Sequence, residues 1–436
     1  MKTFSILTLG CKVNQYESEA MKELFEKNQY VEVDKETDVA DVYIVNTCTV
    51  TNLSDRKSRQ YIRRAKRENP DAIVAVVGCY SQVSPKEVES LEDVDIIIGT
   101  SERERIVELC ENYKKDQGKI NIVRSLKGDR EFQKIKTTRE HIMTRSYMKV
   151  QDGCNRFCSY CIIPYARGEI RSRTIEDSLE EAKVLAKAGY KEIVLTGLNL
   201  GSYNYNNEIK FIQIVKNMLE ISSKFGIRIR LSSIEPIYFN DELISLFKNS
   251  EVLCPHAHIP LQSGSDKILK LMNRRYTREN YLNIVEKLYK TNSNIGISAD
   301  IMVGFPNEDS NDFKDTYNLC EKSKFIKMHI FRYSNRENTP SSKMSNQIGY
   351  RTKLKRAKLL NELNNKMKDD FYKNAINREL KVIAEKKLEN NYYIGTSGEY
   401  LKVKFKSEKI IEKKDIIKVK AIKYEDNIII GEAKNG

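Results

Sequence analysis

The chain has 436 residues, a formal net charge of +14 and nine cysteines, which is enough for two or three domains with sizeable cores and excludes a single small module. The odd cysteine count, with six of the nine in two patterned triads, argues against a disulfide framework and for a reducing cytoplasm. The basic balance suits a polyanion such as nucleic acid, while no run approaches the ~18 apolar residues of a membrane span, so the expectation is a soluble protein with no membrane partner. The opening stretch up to Cys11 is too short and too interrupted, by Thr3, Ser5 and Thr8, to act as a signal-peptide core.

Residues 1–125 alternate short apolar runs with amphipathic ones, the pattern of an open parallel α/β sheet. Strands are predicted at 4–9, 42–46, 73–77 and 95–98, and helices at 17–27 and 55–67, the second stopped by Asn69-Pro70. Cys11, Cys48 and Cys79 each fall within two residues of the end of one of the first three strands. In a parallel sheet those carboxyl ends line up along one edge. One such cysteine is usually a small buried hydrophobe; three, each beside polar or glycine neighbours, fit a three-cysteine cluster with an open iron. Seven of the twelve residues 56–67 are basic, which suits either a solvated face or a phosphate-contacting one. Cys110 lies in a charged amphipathic run and reads as buried. The polar stretch 112–139 carries no clean period and reads as a linker.

Between about 140 and 370, six strand-like runs at 146–150, 192–195, 227–231, 256–259, 297–303 and 327–331 alternate with helical patterns. They predict a partial (β/α)6 barrel, a fold whose working groups gather at strand carboxyl ends. Thr174 is a good N-cap with Asp177 three residues on, and Ile175, Leu179, Ala182 and Ala186 recur at helical spacing. Directly after the first strand, Gly153-Cys154-Asn155-Arg156-Phe157-Cys158-Ser159-Tyr160-Cys161 spaces three cysteines C-x3-C-x2-C. Iron–sulfur clusters normally take four cysteines, and Cys110 and Cys254 lie far off in sequence, so three ligands leave one iron open. A structural zinc knuckle would show paired C-x2-C units and a closed set of four. Thr196-Gly197, Ser232-Ser233, Gln262, Gly304 and Tyr333-Ser334 also follow their strands closely. Gly197 either lets backbone approach a ligand or makes a plain turn. Arg167, Arg171 and Arg173 are read as gripping RNA phosphate in preference to staying solvated. Cys254 beside His256 and His258 is not read as a metal site, since the chain holds only four histidines.

From 371 to 436 the pattern changes. Leu401, Val403 and Phe405 alternate with Lys402, Lys404 and Lys406, and Ile417, Val419 and Ala421 with Lys418 and Lys420. That is a small antiparallel sheet with one apolar and one lysine face, suited to a nucleic-acid backbone or to blocking edge aggregation.

The C-x3-C-x2-C stretch resembles the cluster motif of the radical S-adenosylmethionine (SAM) enzymes, with Tyr160 at the place of that superfamily's aromatic residue. Its flanks, Gln151-Asp152-Gly153 and Ile162-Ile163-Pro164-Tyr165-Ala166-Arg167-Gly168, are similar to those of the methylthiotransferases. The surroundings of Cys11, Cys48 and Cys79 resemble the N-terminal domain of that family, and Lys12-Val13-Asn14-Gln15-Tyr16-Glu17-Ser18 looks most like the branch acting on threonylcarbamoyl-adenosine in tRNA. Thr196-Gly197-Leu198-Asn199, Ser232-Ser233-Ile234-Glu235-Pro236, the run from His258 through Ser265 and the run from Asp300 through Pro306 match further family motifs. Tyr393-Ile394-Gly395-Thr396-Ser397 and the strand after it resemble the TRAM domain, a small β-barrel that binds RNA. Asn307 and Asn338 stand where the family tends to have glycine, and asparagine tolerates the positive φ those turns need.

The resemblance implies an α/β chain of three parts. Residues 1–125 form an open parallel domain with an auxiliary [4Fe-4S] cluster on Cys11, Cys48 and Cys79. Residues 140–370 form a radical SAM barrel with a catalytic [4Fe-4S] cluster on Cys154, Cys158 and Cys161, and residues 371–436 an antiparallel TRAM barrel. SAM contacts are expected from Tyr160, Gly197, Ser233, Glu235 and Gln262. One SAM would donate a methyl group to sulfur at the auxiliary cluster and another would supply the radical that abstracts the substrate hydrogen. The implied partners are the tRNA anticodon stem-loop and a reductant protein such as flavodoxin or ferredoxin. The implied activity is 2-methylthiolation of threonylcarbamoyl-adenosine, with methylthiolation of isopentenyl-adenosine or non-catalytic RNA binding as the alternatives.

Overall fold

The computed structural model describes residues 2–34, 38–133, 135–137, 143–248 and 250–434. Its N-terminal sheet is parallel, in the order Val31–Glu32, Thr3–Thr8, Val42–Thr47, Ile73–Gly78, Ile96–Ile97, Ile120–Asn121. The strand Val42–Thr47 is buried throughout, as an apolar run covered on both faces must be. Met21 and Phe25 pack on one face with Phe4, Ile44 and Val77, and Ile62 and Ala65 on the other with Val45 and Val74. The two-residue strands Val31–Glu32 and Ile120–Asn121 were not expected, because two residues show no period. The second lies inside the stretch read as a linker, of which 134 and 138–139 fall outside the described residues. The first helix, Lys12–Lys27, starts five residues earlier than expected, since its buried face carries Asn14, Glu17 and Ser18 among the apolar residues and so hides its amphipathicity.

The central strands Ser146–Lys149, Glu192–Thr196 and Arg228–Leu231 form one parallel sheet, and His256–His258, Gly296–Val303 and Lys327–Arg332 another. A parallel bridge between Ile229 and Leu253 joins them into a partial barrel. Thr174 caps the helix Ile175–Lys187 by accepting the Asp177 N–H, an interaction worth about 1 kcal/mol. The helix Tyr350–Lys373 runs through the expected boundary at 371 and packs Leu360, Leu363 and Met367 against the central core.

The last five strands, from Glu379 to Ala433, close a barrel. Its pairings are antiparallel except one: Lys402–Lys406 pairs parallel with Ile428–Ala433, the contact that brings the final strand between two earlier ones. Leu401, Val403, Phe405, Val419 and Ala421 point inward. This module covers the amino ends of the central strands. Arg228 donates to the Lys381 carbonyl at 2.8 Å and Arg230 to the Gly398 carbonyl at 2.8 Å, while Glu192 pairs with both guanidiniums.

Candidate metal centres and the lumen between them

Cys11, Cys48 and Cys79 follow three adjacent strands of the N-terminal sheet. Gly10 and Gly78 turn the chain off that sheet with φ of +106° and +100°. A Cβ on Gly10 would stand 2.7 Å from the Cys48 Cβ, and one on Gly78 2.7 Å from the Thr47 carbonyl oxygen, so glycine alone fits either place. Asn14 ties two of the loops by donating to the Leu9 and Thr47 carbonyls at 2.8 and 2.9 Å. The Thr47 hydroxyl ties the third, accepting the Tyr80 N–H at 3.2 Å and donating to the Val77 carbonyl at 2.6 Å. Burial pushes the Cys48 thiol up to about 12, and nearby Cys79 and Cys11 push the same way. Such a thiol keeps its proton at neutral pH until a metal displaces it.

The second triad sits on a loop whose backbone is fixed at nearly every step. Gly153 has φ +72°, and a Cβ there would lie 1.7 Å from the Glu169 carbonyl oxygen. Cys154 N–H donates to the Gly168 carbonyl at 3.1 Å, Cys161 N–H to that of Cys158 at 2.9 Å, and Ser159 N–H to that of Met272 at 3.1 Å. Phe157 is held in the left-handed region at φ +46°, where Asn273 Nδ2 donates to its carbonyl at 3.0 Å. Burial raises the Cys154 thiol to about 11 and that of Cys161 to about 12. Tyr160 packs with Ile268, Met272, Phe305 and Tyr333. Glu235 is clamped by Arg156 at 2.8 Å and by Arg274. Arg274, which sequence reasoning missed, also reaches the Cys158 sulfur at 3.5 Å from Nη1. Its only signal was an arginine pair after an apolar run, and no spacing tied that pair to the cysteines.

Among the described residues, neither triad brings all three sulfurs within 4.8 Å of one another, as one tetrahedral zinc with bonds of ~2.3 Å requires. Wider spacing suits a polynuclear cluster with one cysteine per iron. Cys110, Cys254 and Cys320 are free and buried elsewhere, so each triad keeps three ligands. Ser232 Oγ and Arg274 Nε are buried without hydrogen-bond partners, leaving polar atoms near Glu235 for a bound molecule.

The two triads are joined by buried charges. Glu17 accepts from Arg167 at 2.6 and 2.9 Å and pairs with Lys149 at 2.9 Å and Arg103 at 3.2 Å. Burial opposes the Glu17 charge, but Arg103, Arg167 and Lys149 outweigh it and hold the carboxyl down at about 2. Arg167 also donates to the Cys79 sulfur at 3.3 Å, while Lys149 pairs at 3.0 Å with Asp152, two residues before Cys154. A continuous path thus runs from one cysteine loop to the other. It overturns the phosphate-gripping role expected for Arg167, Arg171 and Arg173, which are only 0%, 5% and 2% exposed. Arg171 pairs with Asp129 at 3.3 Å and Arg173 with Asp177 and Glu181. These carboxylates come from other elements, so a linear reading sees the cations without their counter-ions.

Gly197 does not open onto free space: its missing Cβ would stand 2.6 Å from Gln151 Oε1, which accepts the Asn199 N–H at 2.8 Å. Its small size serves the packing of strand ends. Gln262 adopts φ +63° and bridges strands through its backbone, donating to the Asp300 carbonyl at 2.7 Å and accepting from Met302 N–H at 2.9 Å. Asn307 and Asn338 both take φ +66°, as expected. His258 Nε2 lies 3.2 Å from Asp300, and ligand atoms of His258, Asp300 and His329 all fall within 4.8 Å. Cys254 is not in this group. Burial and the nearby His258 draw His329 down to about 4, with Lys327 and Lys12 acting in the same direction against Asp300, which leaves it neutral at pH 7.

On the surface, Arg56, Lys57, Arg63 and Arg67 are exposed and carry no ion pair among the described residues, whereas Arg59, Arg64 and Lys66 are spent on Glu87, Glu68 and Asp95. On the C-terminal barrel, Lys402 and Lys418 are engaged by Glu385 at 2.7 Å and Glu379 at 3.6 Å. An open depression lined by Lys386, Lys387 and Lys404 around Tyr392 offers the freer cations, Lys404 lying 4.9 Å over the Tyr392 ring.

Residues 148–320 match the Radical SAM superfamily, and residues 3–99 match Uncharacterized protein family UPF0004. The chain is 40% identical to the threonylcarbamoyladenosine tRNA methylthiotransferase MtaB of Bacillus subtilis (strain 168), across 97% of this chain and 94% of that one. The MtaB of Thermotoga maritima is 39% identical, across 94% and 93%. The tRNA-2-methylthio-N(6)-dimethylallyladenosine synthase of Acetivibrio thermocellus is 34% identical, across 88% and 81%. Among solved structures, the radical S-adenosylmethionine methyltransferase TsrM from Kitasatospora setae, with cobalamin and a [4Fe-4S] cluster bound, aligns with a TM-score of 0.55. It covers 78% of this chain and 77% of its own at 13% identity, a likeness of fold.

Proposed function

The chain belongs to the radical SAM tRNA methylthiotransferases, and we propose that it converts N6-threonylcarbamoyladenosine beside the tRNA anticodon to its 2-methylthio derivative in the cytoplasm. The observation that carries this reading is the pair of three-cysteine sites joined by one buried charge path, in a chain about as long as its threonylcarbamoyladenosine-modifying relatives. Enzymes of this family carry two [4Fe-4S] clusters and use SAM. When bound, these groups supply radical hydrogen abstraction and sulfur delivery at a carbon with neither an acidic proton nor a leaving group.

The protein holds and aims them. Cys154, Cys158 and Cys161 would hold the catalytic cluster, and Cys11, Cys48 and Cys79 the auxiliary one. Arg274 stabilises the Cys158 thiolate by charge and, with Arg156, fixes Glu235 where SAM would bind. Tyr160, Ser233 and Gln262 complete the proposed SAM contacts, and Gly197 lets the strand ends close around them. Arg167 positions Cys79 from the opposite domain. The anticodon stem-loop would lie on the free cations of 56–67 and of the C-terminal barrel. A reductant protein such as flavodoxin or ferredoxin would supply electrons.

The test is mass spectrometry of nucleosides from threonylcarbamoylated tRNA after anaerobic reaction with reconstituted protein, SAM and reductant. We expect the 2-methylthio product from wild type. With Cys11, Cys48 and Cys79 changed to Ala, we expect deoxyadenosine release without methylthio transfer. A mass gain confined to dimethylallyladenosine would replace the substrate, and wild type that releases no deoxyadenosine would leave an RNA-binding protein only.

A further inference from the structure

The last strand of the barrel, Lys327–Arg332, lies at the edge of its sheet, so the partial barrel stays open along it. Met328 is buried in the central core and Ile330 packs against it, on the side that carries Leu360 and Leu363 of the helix Tyr350–Lys373. Alternation puts Lys327, His329 and Phe331 on the opposite, inner face, where His329 meets His258 with ring centroids 5.6 Å apart. Phe331 is nevertheless 48% exposed. A lone exposed ring needs no explanation; the position of this one does.

Its register partner on the neighbouring strand is Met302, which packs with Tyr160 of the second cysteine loop. Two residues on, Tyr333 joins the same group, with its ring centroid 5.5 Å from that of Phe305. Three residues further, Arg336 crosses to the N-terminal domain, pairing with Asp55 at 2.7 Å and donating to the hydroxyl of Thr49, the neighbour of Cys48. The chain leaving Phe331 thus touches the surroundings of both cysteine sites. Cations flank the ring. Arg332 lies 5.1 Å over the ring of Tyr350, itself 67% exposed, and among the described residues the exposed Arg332, Arg351 and Lys355 have no ion pair. An exposed aromatic edged by cations is the combination that holds unpaired nucleotides, the ring stacking on a base while the cations track the backbone.

We propose that Phe331 is the platform on which the target adenine stacks once it leaves the anticodon loop, with Arg332, Arg351 and Lys355 holding the flanking phosphates. This rests on the tRNA reading above, but not on which substituent N6 carries. Chemistry on a base requires taking it out of its stack, which forfeits the loop's own stacking. A ring at the open edge of the barrel restores that contact on one face and leaves the edge of the base, with its C2 carbon, free toward the two cysteine sites. Because every base has a π-face, the platform supplies position rather than identity.

The test uses two anticodon stem-loop RNAs, one carrying threonylcarbamoyladenosine at the target position and one with that nucleotide abasic. Anaerobic dissociation constants are measured for the cluster-loaded wild type, Phe331→Leu and Phe331→Tyr, with iron content and melting temperature as folding controls. We expect Phe331→Leu to weaken binding of the base-bearing RNA by about tenfold while the abasic RNA binds as before, and Phe331→Tyr to behave as wild type. A Phe331→Leu protein that binds both RNAs as wild type does, or loses both equally, overturns the platform, since backbone contacts and overall shape do not tell the two RNAs apart. So does a Phe331→Tyr protein with full iron content that behaves like Phe331→Leu. Should Phe331→Leu fail to hold its iron, wild type decides alone. RNA with 8-azidoadenosine at the target position, irradiated in complex, should attach to the peptide Met328–Arg332, and attachment only elsewhere overturns the proposal. Wild type that methylthiolates tRNA while failing these tests leaves the methylthiotransferase reading in place; wild type that transfers no methylthio group to any tRNA overturns both.

Discussion

Gly153 shows how a single residue decides whether a cysteine loop can form. Its Cβ would stand 1.7 Å from the Glu169 carbonyl oxygen, a backbone atom that cannot swing aside. Gly153→Ala must therefore displace either the loop entering Cys154 or the bend carrying Glu169. Reconstituted wild type should hold about eight irons per chain and Gly153→Ala about four, because the auxiliary site is built on different strands. Colorimetric iron analysis checks this, and eight irons in the variant would mean that the loop can rearrange. At the same scale, a linear reading misassigned Arg167, Arg171 and Arg173. A run of arginines past a cysteine motif looks the same whether its counter-ions are phosphates or buried carboxylates, and only Glu17, Asp129 and Glu181 arriving from other elements decide it.

Among the elements, the C-terminal barrel separates core from surface by simple alternation, and that alternation was legible. Which surface lysines remain free was not. Lys402 and Lys418 point outward as their pattern requires, but Glu385 and Glu379 of the strand Glu379–Lys387 meet them, the second from the adjacent strand and the first from two strands away. Lys386, Lys387 and Lys404 cluster around Tyr392 because the register sets Lys386 opposite Ile394 and Ile394 opposite Lys404. Changing these three to Gln should weaken tRNA binding and lower the slope of log affinity against log salt by up to about three, because each lysine that no longer meets a phosphate releases one counterion fewer. The pair Lys402→Gln and Lys418→Gln should change the slope much less. Titration of tRNA at several salt concentrations distinguishes the two sets, and an equal effect of both would argue for a diffuse field.

For the whole molecule, Glu17 is the most heavily paired of the buried ties between the N-terminal domain and the barrel, beside those of Asp55 with Arg336 and Thr100 with Ala166. Removing it leaves the buried Arg103 without a carboxylate partner and makes Arg167 and Lys149 share Asp152, and breaking a buried pair in this way costs ~3–5 kcal/mol. Glu17→Gln should accordingly lower the urea midpoint at neutral pH. The pH dependence follows from the depressed carboxyl, about 2 in the folded protein against about 4.3 when exposed. Its contribution is complete above about pH 4.5 and declines as pH falls toward 2, since the unfolded chain takes up the proton first. The stability gap between wild type and Glu17→Gln should therefore narrow on acidification, as urea unfolding at pH 7, 5 and 3 would show. A gap independent of pH would mean that Glu17 acts through shape rather than charge.

The sequence by itself determined the alternation of strands and helices, the placing of Cys11, Cys48 and Cys79 at strand ends, and the spacing of Cys154, Cys158 and Cys161. These are local properties, carried by hydrophobic period and by residues a few positions apart. Even the asparagines at 307 and 338 could be assigned positive φ from their turns. The tertiary structure alone decided which charges meet. Arg274 beside Cys158 and Arg167 beside Cys79 join residues more than 80 positions apart. An ion pair has no period, and its partners are chosen by how the sheets and barrels pack. The path between the two cysteine sites was therefore invisible along the chain, though every residue in it could be read there.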